Sequence, residues 1–148
     1  MTMIKTASWF QPLPPDHVKI GISRSVPRNE RPGYRRLRAL EPGPWFNSVA
    51  PDEYLRRYNR ILDRLQPRIV AADLRDLVGE GRVPVLVCWE SAADIEAGQS
   101  WCHRHIVAQW LERGLGIEVV EVGYEDRPLD RWACLRAQGV EPPRDATA

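Results

Sequence analysis

Five side chains that could transfer protons, act as nucleophiles or bind anions lie in two short clusters of this chain. Cys88 and Glu90 end the apolar run PVLVCWE, and the triplet Cys102, His103 and Arg104 follows a polar segment. A carboxyl group or an imidazole can move a proton, a thiol can attack an electrophile, and a guanidinium can grip phosphate or carboxylate. These residue types together predict one polar site.

The strand and the helix that carry the two clusters are expected to bring them together. The continuous apolar run at residues 84–89 is typical of a strand buried on both faces, and apolar spacing predicts a helix over about 102–113. Ligands of parallel sheets bind beyond the carboxyl ends of strands. Strand alternation points Cys88 and Glu90 to one side and Trp89 to the other. We therefore expect a cleft between this strand end and the helix start.

The predicted start of the helix favours negative charge, because its backbone N–H groups have no partner within the helix and the positive end of the helix dipole lies there. A cysteine at this position loses its proton more readily, so we expect Cys102 to react faster than Cys134 with alkylating reagents.

We assign Glu90, Cys102 and His103 as candidate catalytic residues. Glu90 would act as general base or acid, Cys102 as nucleophile or as a wall of an anion site, and His103 as proton shuttle.

A second group of residues is predicted to bind the ligand. Cys88 and Arg104 belong to the site itself, whereas Ser23 and Arg24 follow the predicted strand VKIGIS. The segment after that strand is rich in arginine and has a single acidic residue, Glu30; its arginines are Arg24, Arg28, Arg31, Arg35, Arg36 and Arg38. This local positive patch favours a phosphate-bearing small molecule or a nucleic acid as partner, and its alternative interpretation is a solvated loop.

Each residue of the central cluster also has an ordinary structural interpretation. Cys88 and Cys102 fit core positions, His103 can orient a neighbour, Arg104 can pair with Glu90, and Glu90 can end the strand. The same residues offer zinc ligands, but their spacing is not that of paired cysteines in structural zinc sites. Adjacent residues of a helix, Cys102 and His103, are expected to point in different directions. No metal site is therefore predicted.

The rest of the pattern predicts a three-layer, Rossmann-like α/β fold with a mostly parallel sheet. The α/β domain is expected over residues 1–125, followed by a polar C-terminal tail over 126–148. Its predicted elements are strands at 3–8, 18–23, 84–89 and 117–122, helices at 51–65, 67–78 and 102–113, a long loop at 26–50 and a polar loop at 90–101.

Composition narrows the class of protein. Hydrophobic residues make up 43% of the 148 and charged residues 28%, a globular balance, and the formal net charge is +1. The chain carries no run of roughly 20 apolar residues, so no membrane partner is expected, and no signal peptide is recognised. Three irregularly spaced cysteines do not form a disulfide framework. These features favour a cytoplasmic protein.

The sequence of the site resembles a known family. The stretch VLVCWE, a variable loop and WCHRHIVAQWLERGLGIEVVEVG are similar to the domain of unknown function 488 family. Members carry a strand ending in cysteine and glutamate, a cysteine-histidine-arginine triplet opening a helix, and a closing strand with a glutamate, here Glu121. The segment VKIGISRSVP is similar to the family's second strand and loop. Leu40, Pro42, Tyr54 and Tyr58 also match, so that the resemblance covers roughly residues 3–122.

The resemblance implies which residues are shared and makes nucleotide or nucleic-acid chemistry plausible. The shared positions map onto Cys88, Glu90, Cys102, His103 and Arg104. An enzyme acting on a nucleotide, a nucleobase or a nucleic acid is the first hypothesis, with Trp9, Trp45 and Trp101 as possible stacking platforms. A non-catalytic nucleotide- or anion-binding module is the second, and a thiol redox or metal site at the two cysteines is the third. The sequence identifies no cofactor, because it carries neither a glycine-rich phosphate loop nor a dinucleotide fingerprint.

Overall fold

A five-stranded sheet forms the centre of the protein, whose computed structural model describes residues 3–143. The strand order is β3-β2-β4-β1-β5, and every paired strand is parallel to its neighbour. The strands are β1 (Lys5–Ser8), β2 (His17–Gly21), β3 (Arg35–Arg36), β4 (Val83–Cys88) and β5 (Val120–Glu121). The predicted α/β, Rossmann-like fold with a parallel sheet is confirmed.

Five α-helices and one turn of 3-10 helix (Arg38–Leu40) accompany the sheet within residues 3–143. The α-helices are α1 (Pro51–Asp63), α2 (Pro67–Val78), α3 (Ala92–Glu96), α4 (His103–Leu115) and α5 (Ala133–Ala137). A proline at the first helical position starts α1 and α2, where its missing N–H costs nothing. Gly116 ends α4 with a φ of 66°, a left-handed conformation that glycine adopts without strain.

One face of the sheet is covered by helices. Tyr58 of α1, Leu74 of α2 and Leu111 of α4 are fully buried against Ile20 and Leu86 of the strands. Apolar burial of this kind is the main force that holds helices on a sheet. The helices therefore fix where α4 begins relative to the end of β4.

The opposite face of the sheet is covered by segments without helix. Ala7, Val85 and Val87 point to this face and pack with Trp9, which is fully buried. The residues that cover them come from the connections after β1 and β2, and they are Leu13, Val26 and Tyr34. The sheet is thus the middle of three layers, one of which is built from loops.

Three predicted loop or tail segments contain regular structure. The predicted long loop at 26–50 includes β3 and the 3-10 turn, and the predicted polar loop at 90–101 includes α3. The segment predicted as a polar tail from residue 126 packs on the domain, because Leu135 of α5 is fully buried in the main core. Its last residues, 144–148, lie outside the described part of the chain. None of the helices in residues 3–143 combines the length and apolarity needed to cross a bilayer.

Candidate functional site

A cavity of about 230 Å³ opens at the carboxyl edge of the sheet, where β2 and β4 end side by side. Its walls come from the residues after these two strands, from the loop before α1, and from the starts of α1 and α4. The residues that line it are Ser23, Arg24, Ser25, Pro42, Phe46, Tyr54, Cys88, Trp89, Glu90, Trp101 and His103. Ligands of parallel α/β proteins bind at this edge of the sheet.

The end of β4 presents Cys88 and Glu90 to the same side. Cys88 Sγ lies 3.6 Å from Glu90 Oε2, whereas Trp89 packs edge-on against Phe10, is 42% exposed and borders the same cavity. Cys88 and Glu90 therefore share one side as predicted, whereas Trp89 borders the same cavity and does not lie wholly on the other side. Burial raises the pKa of the Glu90 carboxyl, and the charge of Arg104 and a backbone hydrogen bond offset only part of that rise. This carboxyl group is suited to hold a proton as well as to accept one.

Cys102 and His103 point toward the same place, contrary to the directional argument from an ideal helix. Cys102 is the N-cap of α4 and has extended backbone angles, φ −142° and ψ 140°, so its side chain does not follow the helical rotation. Its sulfur is joined to that of Cys88 in a disulfide, and a ring nitrogen of His103 lies within 4.8 Å of both sulfurs. The expectation that these ligands diverge is wrong.

The disulfide and its burial also change the expected reactivity of the cysteines. Cys102 is only 1% exposed and, bonded to Cys88, has no thiol to react; Cys134 is the free cysteine of residues 3–143. The irregular spacing of the cysteines concealed this pairing, because the strand end and the N-cap meet only in the folded chain. The predicted fast alkylation of Cys102 therefore requires reduction first.

His103 is held in one orientation at the wall of the cavity. Its Nε2 lies 2.8 Å from the carbonyl oxygen of Ile22 and donates to it, so Nδ1 carries the free lone pair. Burial lowers the pKa of His103 to about 4, and the nearby Arg104 adds to that effect while the hydrogen bond opposes it. A neutral imidazole can accept a proton or bind a metal ion through Nδ1.

Arg104 does not line the cavity, unlike the ligand-binding role predicted for it. Its side chain is completely buried, with Nε and Nη2 bonded to the Glu121 carboxylate at 3.1 and 2.7 Å. Its Nη1 donates to the Glu90 carbonyl oxygen at 2.8 Å and approaches Cys88 Sγ at 3.3 Å. The alternative pairing with the Glu90 carboxylate is also not formed. Arg104 therefore positions the strand end rather than gripping a ligand.

Glu121 is the centre of a buried polar network behind the site. Its carboxylate accepts hydrogen bonds from Thr6 Oγ1 at 2.6 Å and from His105 Nε2 at 2.9 Å, besides those from Arg104. Burial alone would raise the pKa of Glu121, but the His105 hydrogen bond and the Arg104 charge hold it well below its usual range. The network ties the start of α4 to β1 and β5.

Ser23 and Arg24 reach the cavity as the sequence predicted. Ser23 is buried, accepts a hydrogen bond from Trp9 Nε1 at 2.9 Å and donates to the Ser25 carbonyl oxygen. Arg24 is exposed, donates to the Pro42 carbonyl oxygen at 3.1 Å and sits 6.0 Å from the Phe46 ring centre. The cation at the mouth of the cavity thus remains accessible to solvent.

The aromatic part of the site was largely missed from the sequence. Tyr54 falls in the predicted helix at 51–65 and Phe46 in the predicted loop at 26–50, yet both line the cavity with Trp89 and Trp101. Of the three tryptophans predicted as stacking platforms, Trp101 lines the cavity, whereas Trp9 is fully buried and Trp45 is not part of the lining. The sequence signals for this wall are Trp101, predicted as a stacking platform, and the resemblance of Pro42 and Tyr54 to family positions.

The arginine-rich segment after β2 is only partly available to bind a phosphate, because one of its arginines is held in an ion pair. Arg36 pairs with Glu41 at 2.9 Å, which removes one arginine from the predicted positive patch, whereas Glu30, the acidic residue of the segment, pairs with Lys19 at 3.0 Å. Arg28 and Arg31 are exposed. Arg24 is the member of this segment that borders the cavity.

Comparison with family models, with curated proteins and with solved structures gives no match for this chain. The resemblance to the domain of unknown function 488 family thus stays a prediction.

Proposed function

We propose that the chain is an enzyme acting on a nucleotide, a nucleobase or a nucleic acid, with the cavity at the carboxyl edge of the sheet as its substrate site. One observation carries this proposal: the Glu90 carboxyl group, Cys88 and the His103 ring share a cavity with four aromatic side chains. Its volume of about 230 Å³ lies below that of pockets for drug-sized ligands. A single flat base fits such a space better than a whole nucleotide does.

The chemistry of the walls supports a base as the group that enters. Tyr54 and Trp101 offer apolar rings, and stacking on such rings accepts any base because every base has a π-face. Arg24 at the mouth can bind a phosphate that stays outside the cavity. Glu90 can then accept a proton from the base or donate one to it.

The test compares Glu90→Gln with the unchanged protein on a panel of bases, nucleosides, nucleotides and single-stranded oligonucleotides. Product formation is followed by mass spectrometry and affinity by calorimetry. General acid–base catalysis contributes roughly 10²–10⁴-fold in rate, so the variant should lose turnover by that order while keeping its affinity. Glu96→Gln is the matched control, because Glu96 lies on α3 and pairs with Arg127 at the surface rather than lining the cavity.

Binding without turnover in the unchanged protein would contradict an enzyme and support a non-catalytic binding module.

A thiol redox function is the second candidate, and the Cys88–Cys102 bond is the observation that favours it. The two functions separate cleanly, because a redox pair needs both cysteines, whereas Glu90→Gln leaves the disulfide in place.

A further inference from the structure

We propose that, after reduction of the disulfide, Cys88, Cys102 and His103 form a zinc site in the wall of the cavity. Within residues 3–143 these are the residues whose potential ligand atoms converge, all within 4.8 Å of one another. Two thiolates and one imidazole are ligands that zinc prefers. Reduction by a dithiol, which becomes a disulfide, or by a phosphine with water, which gives the phosphine oxide, supplies two electrons and two protons, and zinc then displaces both thiol protons into solvent.

The spacing of the backbone suits a metal between the two sulfurs. Two Zn–S bonds of about 2.3 Å at a tetrahedral angle hold their sulfurs about 3.8 Å apart. The Cα atoms of Cys88 and Cys102 are 7.4 Å apart. At this separation, the two sulfurs can lie about 3.8 Å apart while the strand end and the N-cap stay where they are. The zinc site thus needs only side-chain rotation.

The surroundings of the three residues are those of metal ligands. His103 donates from Nε2 to the Ile22 carbonyl oxygen at 2.8 Å, and a metal-bound histidine usually donates its second ring nitrogen in this way. Arg104 Nη1 lies 3.3 Å from Cys88 Sγ, and the Arg104 backbone N lies 3.5 Å from Cys102 Sγ. Such N–H groups stabilise sulfur that carries negative charge.

The charges also balance once zinc is bound. Both cysteines are 1% exposed, and two buried thiolates without a cation would be costly. The buried charge of Arg104 is already matched by Glu121 at 2.7 Å, so it does not fully compensate the thiolates. A divalent cation supplies the missing two positive charges.

Three protein ligands leave a fourth position of zinc for water or substrate, as in catalytic rather than structural sites. Cys88, His103 and Glu90 line the cavity, so the open position would face it. Zinc held by one histidine and two cysteines, with a glutamate that is not a ligand, is the arrangement that zinc deaminases use on nucleobases. Hydrolysis of a base is therefore the class of reaction we infer; this role rests on the proposed function, whereas zinc binding does not.

The full chain is reduced anaerobically, stripped with a chelator and titrated with Co²⁺ and then Zn²⁺. We expect one Co²⁺ per chain with a sulfur-to-cobalt charge-transfer band, which one equivalent of Zn²⁺ abolishes. Cys102→Ser should weaken binding by more than about 100-fold, beyond the loss expected for an outer-shell residue. The control is Cys134→Ser, which should bind normally because Cys134 lies on α5 outside the cluster.

Zinc should also protect Cys88 and Cys102 of the unchanged protein from alkylation, a measurement that does not depend on any variant folding. A reduced protein without the cobalt band and without this protection would overturn the proposal. Because these readouts are independent of turnover, zinc binding without activity on any nucleobase would count against the proposed function alone. Turnover by metal-free protein would instead remove zinc from the reaction.

Discussion

Arg104 and Glu121 form a bidentate ion pair in the interior of the domain, with Nε–Oε1 and Nη2–Oε2 distances of 3.1 and 2.7 Å. Neither side chain is accessible to a ligand, since Arg104 is 0% and Glu121 5% exposed. The pair joins the first turn of α4 to β5, and the remaining amino group of Arg104 reaches the end of β4. Arg104, predicted from the sequence to bind the ligand, instead lies beneath the cavity wall and holds the end of β4 in place.

Removal of this arginine should therefore cost stability. Arg104→Met leaves the Glu121 charge buried without its partner, and breaking a buried pair in this way costs about 3–5 kcal/mol. The free energy of unfolding, measured in urea, should fall by that amount. Glu53→Gln is the control, because its pairs with Arg56 and Arg57 lie at the surface and contribute little. Equal stability of the two variants would contradict the structural role of Arg104.

Arg24 should distinguish charged from uncharged ligands. Its guanidinium is exposed at the mouth of the cavity, where a phosphate would lie if the base occupies the interior. Arg24→Ala should weaken binding of a nucleoside monophosphate by about 10- to 100-fold, the range of a charge-assisted hydrogen bond, and leave the nucleoside unaffected. Calorimetry on both ligands measures the difference. The control is Arg28→Ala, because Arg28 lies in the same segment but does not line the cavity, and it should change neither affinity. An equal loss of nucleotide affinity in both variants would point to a general charge effect.

Gly21 leaves room for the buried indole of Trp9 on the loop-covered face of the sheet. A Cβ atom at Gly21 would lie 2.5 Å from Trp9 Cζ2 and 2.7 Å from Cη2. Gly21→Ala should therefore displace the indole and weaken its hydrogen bond to Ser23, with a loss of about 1–3 kcal/mol in the free energy of unfolding, as for other overpacked cores. Urea unfolding measures the loss. An unchanged stability would show that the indole moves aside freely.

The number of free thiols should depend on reduction. In air-oxidised protein, denatured without reductant, one thiol per chain should titrate, that of Cys134. Prior reduction should give three, because Cys88 and Cys102 are then released. Alkylation followed by peptide mass spectrometry assigns each thiol. Three reactive thiols in the oxidised protein would mean that the disulfide does not form.

The long elements of the fold were predictable because each carries its own periodic pattern. The predicted helix at 67–78 coincides with α2, and the predicted helix at 51–65 begins at Pro51, where α1 begins. The short elements depend on tertiary contacts that no local pattern encodes. Arg35 and Arg36 form β3 only because they pair with Ile20 and Gly21 of β2.

The polar residues of the site were predictable, but its aromatic wall and its detailed geometry were not. Cys88, Glu90, Cys102 and His103 do meet at one edge of the sheet, as strand alternation and the helix start suggested. The direction of Cys102 depends on N-cap backbone angles that a sequence pattern does not show. The burial of Arg104 depends on Glu121, a partner 17 residues away that only folding brings into contact.

The most direct test is a crystal structure of the reduced protein soaked with each of the four common ribonucleoside 5′-monophosphates in turn. The proposed function predicts that for at least one nucleotide the base lies in the cavity, within hydrogen-bond distance of the Glu90 carboxyl group and against the Tyr54 or Trp101 ring, with its phosphate near Arg24. An empty cavity at saturating concentrations of all four, or nucleotides bound only at other surfaces, would contradict it.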